Sequence, residues 1–282
     1  MTERTIVITG GSDGIGAEAA RQLRAAQPSA RLVLVGRSAQ KTAAVAREVR
    51  ADHLLADYTT LADVRRVAAD IRSAVDRIDV LANNAGGVFG ERTVTVDGNE
   101  KTLQVNLLAP FLLTHLLLDP LRAGEGGVIN TSSASARIVG KVDIDDLNHE
   151  KTYTPLRAYG DAKLANILFA LGLDRHHRSQ GVVAAAFDPG NVRTGFGAEN
   201  NDFLTRLLYR TPLSKLALIP PEKGGSNLAF FLTGTPGVDW HAGRFYAQTK
   251  VASRRQTNKQ AFDDSLVEQF WQRTRSLLGI RE

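Results

Sequence analysis

The sequence predicts an α/β protein: a doubly wound parallel sheet of about seven strands with helices on both faces. Two observations predict it. Short β-branched runs alternate with longer amphipathic stretches along the whole chain, and parallel strands need such crossovers to return to the same end of a sheet. The first run, Thr5-Ile6-Val7-Ile8-Thr9, also passes straight into Gly10-Gly11-Ser12-Asp13-Gly14-Ile15-Gly16. A strand, a tight glycine turn and a helix start thus follow one another without a gap.

In chain order, strands are expected at Thr5 to Thr9, Arg31 to Val35, His53 to Ala56, Val80 to Asn83, Val128 to Asn130, Val182 to Phe187 and Arg244 to Tyr246. Each is a short run of branched or small apolar residues, the composition of strands covered on both faces. Between them the apolar spacing predicts helices over 14–26, 39–50, 60–75, 101–120, 157–178, 222–233 and 261–278. Right-handed crossovers then set these helices on both sides of the sheet.

No internal repeat or low-complexity linker divides the chain, so residues 1–282 read as one domain. Two segments depart from the alternation. Residues 191–221 contribute no clear strand; Leu204, Leu207, Leu208 and Tyr209 recur at helical spacing, and Pro212, Pro220 and Pro221 bound the stretch after them. An insertion beyond the carboxyl end of a strand is where a substrate lid lies. Residues 137–156, polar and acidic in their middle, are expected to rim the same pocket.

At 282 residues the chain can bury a large core without disulfides or metal. Cysteine is absent, which excludes disulfide bonds, thiolate catalysis and thiolate metal ligation. The net charge of +5 is spread among acids, with no interleaving of basic and aromatic residues, so no nucleic-acid partner is expected. The first strand begins at Thr5, which a signal peptide would have to destroy. The most apolar stretch, Leu107 to Leu118, contains Pro110 and His115 and is too short to span a bilayer. The expectation is a cytoplasmic protein without a membrane anchor.

Gly10, Gly14 and Gly16 form G-x-x-x-G-x-G between strand and helix. Missing Cβ atoms let the backbone approach a pyrophosphate, and the helix N-terminus stabilises its charge. Ser12, Asp13 and Ile15 complete this cradle. The second strand ends in Gly36-Arg37-Ser38 with no acid to accept from ribose hydroxyls. Arg37 offers a planar cation to a 2′-phosphate instead, so NADP(H) is favoured over NAD(H). Asp57 stands to accept from an adenine amine, with Tyr58 or its backbone bordering the ring. Asn83-Asn84-Ala85-Gly86 puts small residues where the cofactor ribose passes, with Asn83, Ala85 and Gly86 as contacts.

Ser132 and Ser133 follow the fifth strand, and Tyr159 and Lys163 stand one helical turn apart on one face. A phenol is a poor acid or base near neutral pH until its anion is stabilised, which an adjacent ammonium does. The same lysine can hold a nicotinamide ribose. A serine hydroxyl opposite can donate to a carbonyl oxygen as charge develops there.

These residues carry a resemblance. The chain resembles the short-chain dehydrogenase/reductase family over almost its whole length. The matching segments are Thr9-Gly10-x-x-x-Gly14-Ile15-Gly16, Asn83-Asn84-Ala85-Gly86, Asn106, Ser133, Tyr159-x-x-x-Lys163, and Pro189-Gly190 with Thr194. The resemblance implies a Rossmann fold, with Ser133 as the catalytic serine, Tyr159 as acid/base and Lys163 as its electrostatic partner. It also implies that Asn106 completes a tetrad, holding a helix irregularity and an ordered water that links Lys163 to solvent. Pro189, Gly190, Val192 and Thr194 line the nicotinamide side by the same analogy.

In finer detail the chain is similar to the retinol-dehydrogenase-like branch. The run Tyr159-Gly160-Asp161-Ala162-Lys163-Leu164-Ala165-Asn166, the long spacing from Ser133 to Tyr159, and Gly243-Arg244-Phe245-Tyr246 followed by a helix with Trp271 all resemble it. Ala162 departs from a usual serine, and Asp13 from a usual neutral residue, where it is expected to weaken phosphate binding slightly. The resemblance also implies a homodimer through the helix around Phe111 and the Tyr159 helix.

The six histidines are scattered and give no metal-ligand spacing, so no metal is expected. Phe111, Leu112, Leu116 and Leu117 read as core or as a helix-pair interface. The function expected is interconversion of a carbonyl and an alcohol on a small molecule, with Phe196, Phe203, Leu204, Leu207 and Leu208 pointing to a lipophilic one. The rival readings are an NADP-binding regulatory or scaffold protein without turnover, and a reductase of an activated carbon–carbon double bond.

Overall fold

The computed structural model describes residues 3–190 and 219–281. Val192, Thr194 and the apolar positions of the expected lid lie outside the described residues. Eight strands form one sheet in the order β3-β2-β1-β4-β5-β6-β7-β8. They are β1 (Thr5–Thr9), β2 (Arg31–Gly36), β3 (Asp52–Leu55), β4 (Val80–Asn83), β5 (Gly127–Thr131), β6 (Val183–Asp188), β7 (Arg244–Ala247) and β8 (Lys250–Val251). The first seven pair in parallel, and only β8 returns antiparallel on β7. This is the doubly wound fold expected, with one short strand added at its edge.

The pleat explains how each strand serves two cores. Along β1, Ile6 and Ile8 point to one face of the sheet and Val7 to the other, and all three are fully buried. Helices α1 (Gly14–Ala26) and α2 (Ala39–Val49) contribute Leu23, Val45 and Val49 to the first face. The second face receives Val64, Val67 and Ile71 of α3 (Leu61–Ala74) and the long helix α8 (Pro155–His177). The chain leaves β1 outward to β2 and β3, then crosses back to β4. That reversal opens a crevice at the carboxyl ends of β1 and β4, where ligands bind in such sheets.

The stretch expected as one helix over 101–120 is built in pieces. It begins as α4 (Lys101–Leu103), widens into a π-helical turn at Gln104–Leu108, and continues as α5 (Ala109–Leu116). A bend of 64° separates it from α6 (Leu118–Gly124). No single helix among the described residues is long and apolar enough to cross a membrane.

The remaining helices are α7 (Ser135–Ile138), α9 (Pro221–Thr233) and α10 (Asp264–Leu277). Helix α10 packs on α8, and Trp271 meets Phe111 at 4.8 Å and Phe169 at 6.3 Å between ring centres. A Cβ on Gly172 would lie 2.8 Å from the Trp271 ring, so that glycine lets the indole seat against α8. Phe111, Leu112 and Leu117 are buried by the chain's own packing, and Leu116 packs against the same cluster. They are core residues of this chain.

Candidate active site

The crevice gathers four segments that lie far apart in the sequence. Gly10 ends β1 with a φ of +67°, a backbone setting that only glycine adopts at little cost. Thr9 fastens this turn to the end of β4: its Oγ1 donates to the Ala82 carbonyl and accepts from the Asn84 and Ala85 N–H groups, each at 3.0 Å. Asn84 Nδ2 donates back to the Thr9 carbonyl at 3.0 Å. The glycine turn and the Asn84-Ala85 turn are therefore one unit. Asn83 belongs beneath it. Its amide, inside the protein, donates to Thr114 and Asn130, so the side chain braces the sheet instead of facing the crevice.

Asp13 caps α1 by accepting from the Gly14 N–H at 2.8 Å, and it pairs with Lys41 of α2 at 2.9 Å. The Lys41 hydrogen bond is the main cause holding the Asp13 carboxyl below the usual range. The acid expected to oppose a phosphate thus carries its own counterion. Ser12 and Ile15 sit in the same turn, with Ile15 buried. Arg37 is exposed directly after β2, and a Cβ on the neighbouring Gly36 would come within 3.0 Å of the Ser12 Cβ. The second strand's end and the glycine turn are in contact, as a cofactor bridging them requires. This donor set fits an adenosine carrying a 2′-phosphate, because Gly36-Arg37-Ser38 supplies a cation and no acid.

Beyond β3, Asp57 closes its own turn by accepting from the Thr59 N–H at 2.9 Å. Tyr58 differs from expectation. Its ring is buried, its hydroxyl is enclosed near Thr9, and burial pushes the phenol well up. Its carbonyl accepts from Gln104 at 3.3 Å. An apolar ring after β3 is drawn into the core, so it does not border a ligand.

The reacting end is built on β5, the π-helical turn and α8. Ser132 and Ser133 are adjacent, yet only one faces the crevice. Ser132 is buried and its Oγ donates to the Lys163 carbonyl at 2.7 Å. Ser133 is half-buried, and its Oγ accepts from the Ser135 N–H at 3.2 Å, leaving its O–H to donate. Tyr159 is half-buried on α8, and Lys163 Nζ lies 5.5 Å from the centre of its ring. The ammonium donates to the Thr131 carbonyl at 3.1 Å. Burial lowers Lys163 to about 8.

Asn106 lies in the π-helical turn, which matches the helix irregularity expected there. Its Oδ1 accepts from the Gly87 N–H at 3.1 Å, and its Nδ2 donates to the Gly87 and Thr102 carbonyls at 2.9 Å. Gly86 is squeezed between the two motif residues: a Cβ there would lie 2.5 Å from Asn106 Oδ1 and 3.3 Å from Lys163 Nζ. The Asn106 carbonyl would bond the N–H of the residue four positions on in an α-helix. That residue is Pro110, which has none. Asn166 of α8 donates to this carbonyl at 2.9 Å instead, tying the π-helical turn to the catalytic helix.

The expected rim, residues 137–156, is held against α8. Asp161 accepts from the Lys141 N–H at 2.6 Å and lies 3.5 Å from His149. Asp143 and Asp146 mostly close local turns, accepting from the N–H groups of Asp145 and Glu150. Pro189 is buried after β6, its carbonyl accepting from Asn227 of α9 at 3.0 Å, and Gly190 turns the chain with a φ of +88°. The roles of Asn166, Asn227 and Asp188 were not read from the sequence; an Asn or Asp signals only hydrogen-bonding capacity until its partners are known.

A doubly wound sheet with this glycine turn and a serine, tyrosine and lysine at one crevice defines a nucleotide-dependent oxidoreductase class. The short chain dehydrogenase family matches residues 4–204, and the chain belongs to that family. It is 35% identical over 283 residues to DnrU of Streptomyces sp. (strain C5), whose name proposes it as a daunorubicin C-13 ketoreductase; the match covers 98% of this chain and 93% of the relative. It is 33% identical over 291 residues to retinol dehydrogenase 12 of Homo sapiens, covering 99% and 87%. Among solved structures, the Pseudomonas aeruginosa RhlG/NADP active-site complex superposes with a TM-score of 0.65 at 25% identity, covering 88% of this chain and 94% of that one.

Proposed function

We propose that this chain is an NADP(H)-dependent oxidoreductase that interconverts a carbonyl and an alcohol on a lipophilic small metabolite. The observation that carries this reading is the buried Lys163 ammonium, which sits one turn from Tyr159 and against Gly86 and Asn106. Gly10, Ser12, Asp13, Gly14, Ile15, Gly16, Arg37, Asp57, Ala85 and Gly86 are the residues that would hold the cofactor, with Arg37 recognising the 2′-phosphate. When bound, the cofactor supplies hydride to the carbonyl carbon or accepts it from the alcohol.

The chain's own groups handle the oxygen. Ser133 donates a hydrogen bond to it, and Tyr159 donates its proton as negative charge grows there. Lys163 stands by the resulting phenolate, and its charge is stronger for being out of water. Asn106 fixes Gly87 and the π-helical turn, so the lysine's surroundings do not shift as charge moves. In alcohol oxidation Tyr159 takes the proton back.

The relatives support both halves of this reading. One is named for ketone reduction and one for retinol, while the RhlG structure was solved with NADP. The test is a panel of lipophilic ketones, aldehydes and alcohols followed by NADPH absorbance. Tyr159→Phe should abolish most turnover of any hit while leaving the NADPH dissociation constant within about threefold, since general acid–base catalysis alone is worth 10²–10⁴. Turnover retained by that variant would end the proposed role.

A further inference from the structure

We propose that Asp188 is a positioning residue for Ser133, its carboxylate tying the serine turn after β5 to the Pro189-Gly190 turn after β6. The inference rests on the function proposed above. Pairing between the two strands carries past their ends: Thr131 faces Phe187 in register, and the Ser132 N–H donates to the Phe187 carbonyl at 2.7 Å. Ser133 itself is one residue beyond that last backbone bond. Asp188, one residue beyond Phe187, takes over. Its Oδ1 accepts from the Gly190 N–H at 2.9 Å, and the N–H of Ala134, next to Ser133, bonds the same carboxylate.

The aspartate's own backbone is fixed from the far side. The Gln248 N–H donates to the Asp188 carbonyl at 2.8 Å, and Asn227 holds the carbonyl of Pro189 at 3.0 Å. Asp188 therefore stands on a rigid base and reaches across to the serine turn. A carboxylate suits this task because it is acceptor-only and can serve two N–H donors together. An amide keeps one acceptor oxygen and sets an NH₂ group where the other stood. Alanine keeps neither.

Protonation weakens the same tie, because one oxygen becomes a hydroxyl. Burial raises the Asp188 carboxyl above its ordinary value, and the Gly190 and Ala134 N–H groups pull the other way. The titratable groups on the elements packed around it are Arg137 on α7, Tyr159 and Lys163 on α8, Glu222 and Lys223 on α9, and Lys250 on β8. None of these contributes to the shift; only burial and the two backbone donors do.

The experiment compares full-length wild type with Asp188→Ala, Asp188→Asn and Ser133→Ala. Carbonyl reduction is measured against pH, and amide resonances are followed by NMR across the same range. Asp188→Ala should lower kcat at least about tenfold, with KM and the NADPH dissociation constant within threefold, as expected when a reacting group is misplaced. Asp188→Asn should lose less and should lack the fall in kcat that the wild type shows on the acid side. In the wild type the Ala134 and Gly190 amides should titrate with one shared midpoint above the ordinary carboxylate value, and in Asp188→Asn neither should move.

An Asp188→Ala enzyme with wild-type kcat, alongside an impaired Ser133→Ala, would overturn the inference and leave the proposed function standing. An unimpaired Ser133→Ala would fault the function instead. The amide titration then still decides whether the tie exists: a shared midpoint supports it, and unlinked or absent titration refutes it.

Discussion

Lys163→Met isolates the energetic cost of the buried ammonium. Lys163 is 2% exposed, and burial drops it from 10.5 to about 8. A depressed lysine means that the folded state disfavours the charged form, so the unfolded chain binds more protons between pH 8 and 10.5. Wild-type stability therefore carries its full penalty below pH 8 and recovers it as pH rises towards 10.5. At up to 1.36 kcal/mol per pH unit, the full penalty is roughly 3 kcal/mol. Methionine carries no charge but forfeits the bond to the Thr131 carbonyl, about 1 kcal/mol. The variant should be more stable than wild type by roughly 2 kcal/mol at pH 7, and this advantage should disappear by pH 10. Urea unfolding of both proteins at intervals from pH 7 to 10 measures it, because the other titrations cancel in the difference. A stability difference that stays flat over that window would show that the ammonium bears no desolvation cost.

Three further outcomes are expected from the geometry. Arg37→Glu should weaken NADPH by about 100-fold and NADH by far less, since it removes a charge-assisted bond and adds repulsion; equal losses in separately measured dissociation constants would count against the 2′-phosphate assignment. Gly86→Ala forces a Cβ to within 2.5 Å of Asn106 Oδ1. It should cut turnover about tenfold with a modest loss of thermal stability, as overpacking next to reacting groups does. Trp271→Ala empties the space between Phe111, Phe169 and Gly172, and should cost about 3–5 kcal/mol in chemical denaturation, the range for truncating a buried aromatic.

Much of the fold was legible because periodicity is a local property. Strand β1 and helix α1 fall where the residue pattern set them, and the strands through β7 start or end within a residue of expectation. Strand β8 was not legible. It is two exposed residues long, and its hairpin turns at Gln248, with a φ of +58°, without the Asn-Gly or Asp-Gly signal such turns usually carry. The break after Leu116 was hidden for a similar reason: an apolar run reads the same whether its helix is straight or bent.

The site divides in the same way. By itself the sequence determined which chemical groups exist and their local spacing: a glycine turn after a strand, a cation without an acid after the second, a phenol and an amine one turn apart. Those arise from chain geometry within a few residues. Which of two adjacent serines faces the crevice, why Tyr58 turns inward, and why Pro110 leaves a carbonyl that Asn166 takes were settled only by packing. Each depends on partners 30 to 60 residues away, whose positions are fixed by the sheet order and by the burial of both its faces.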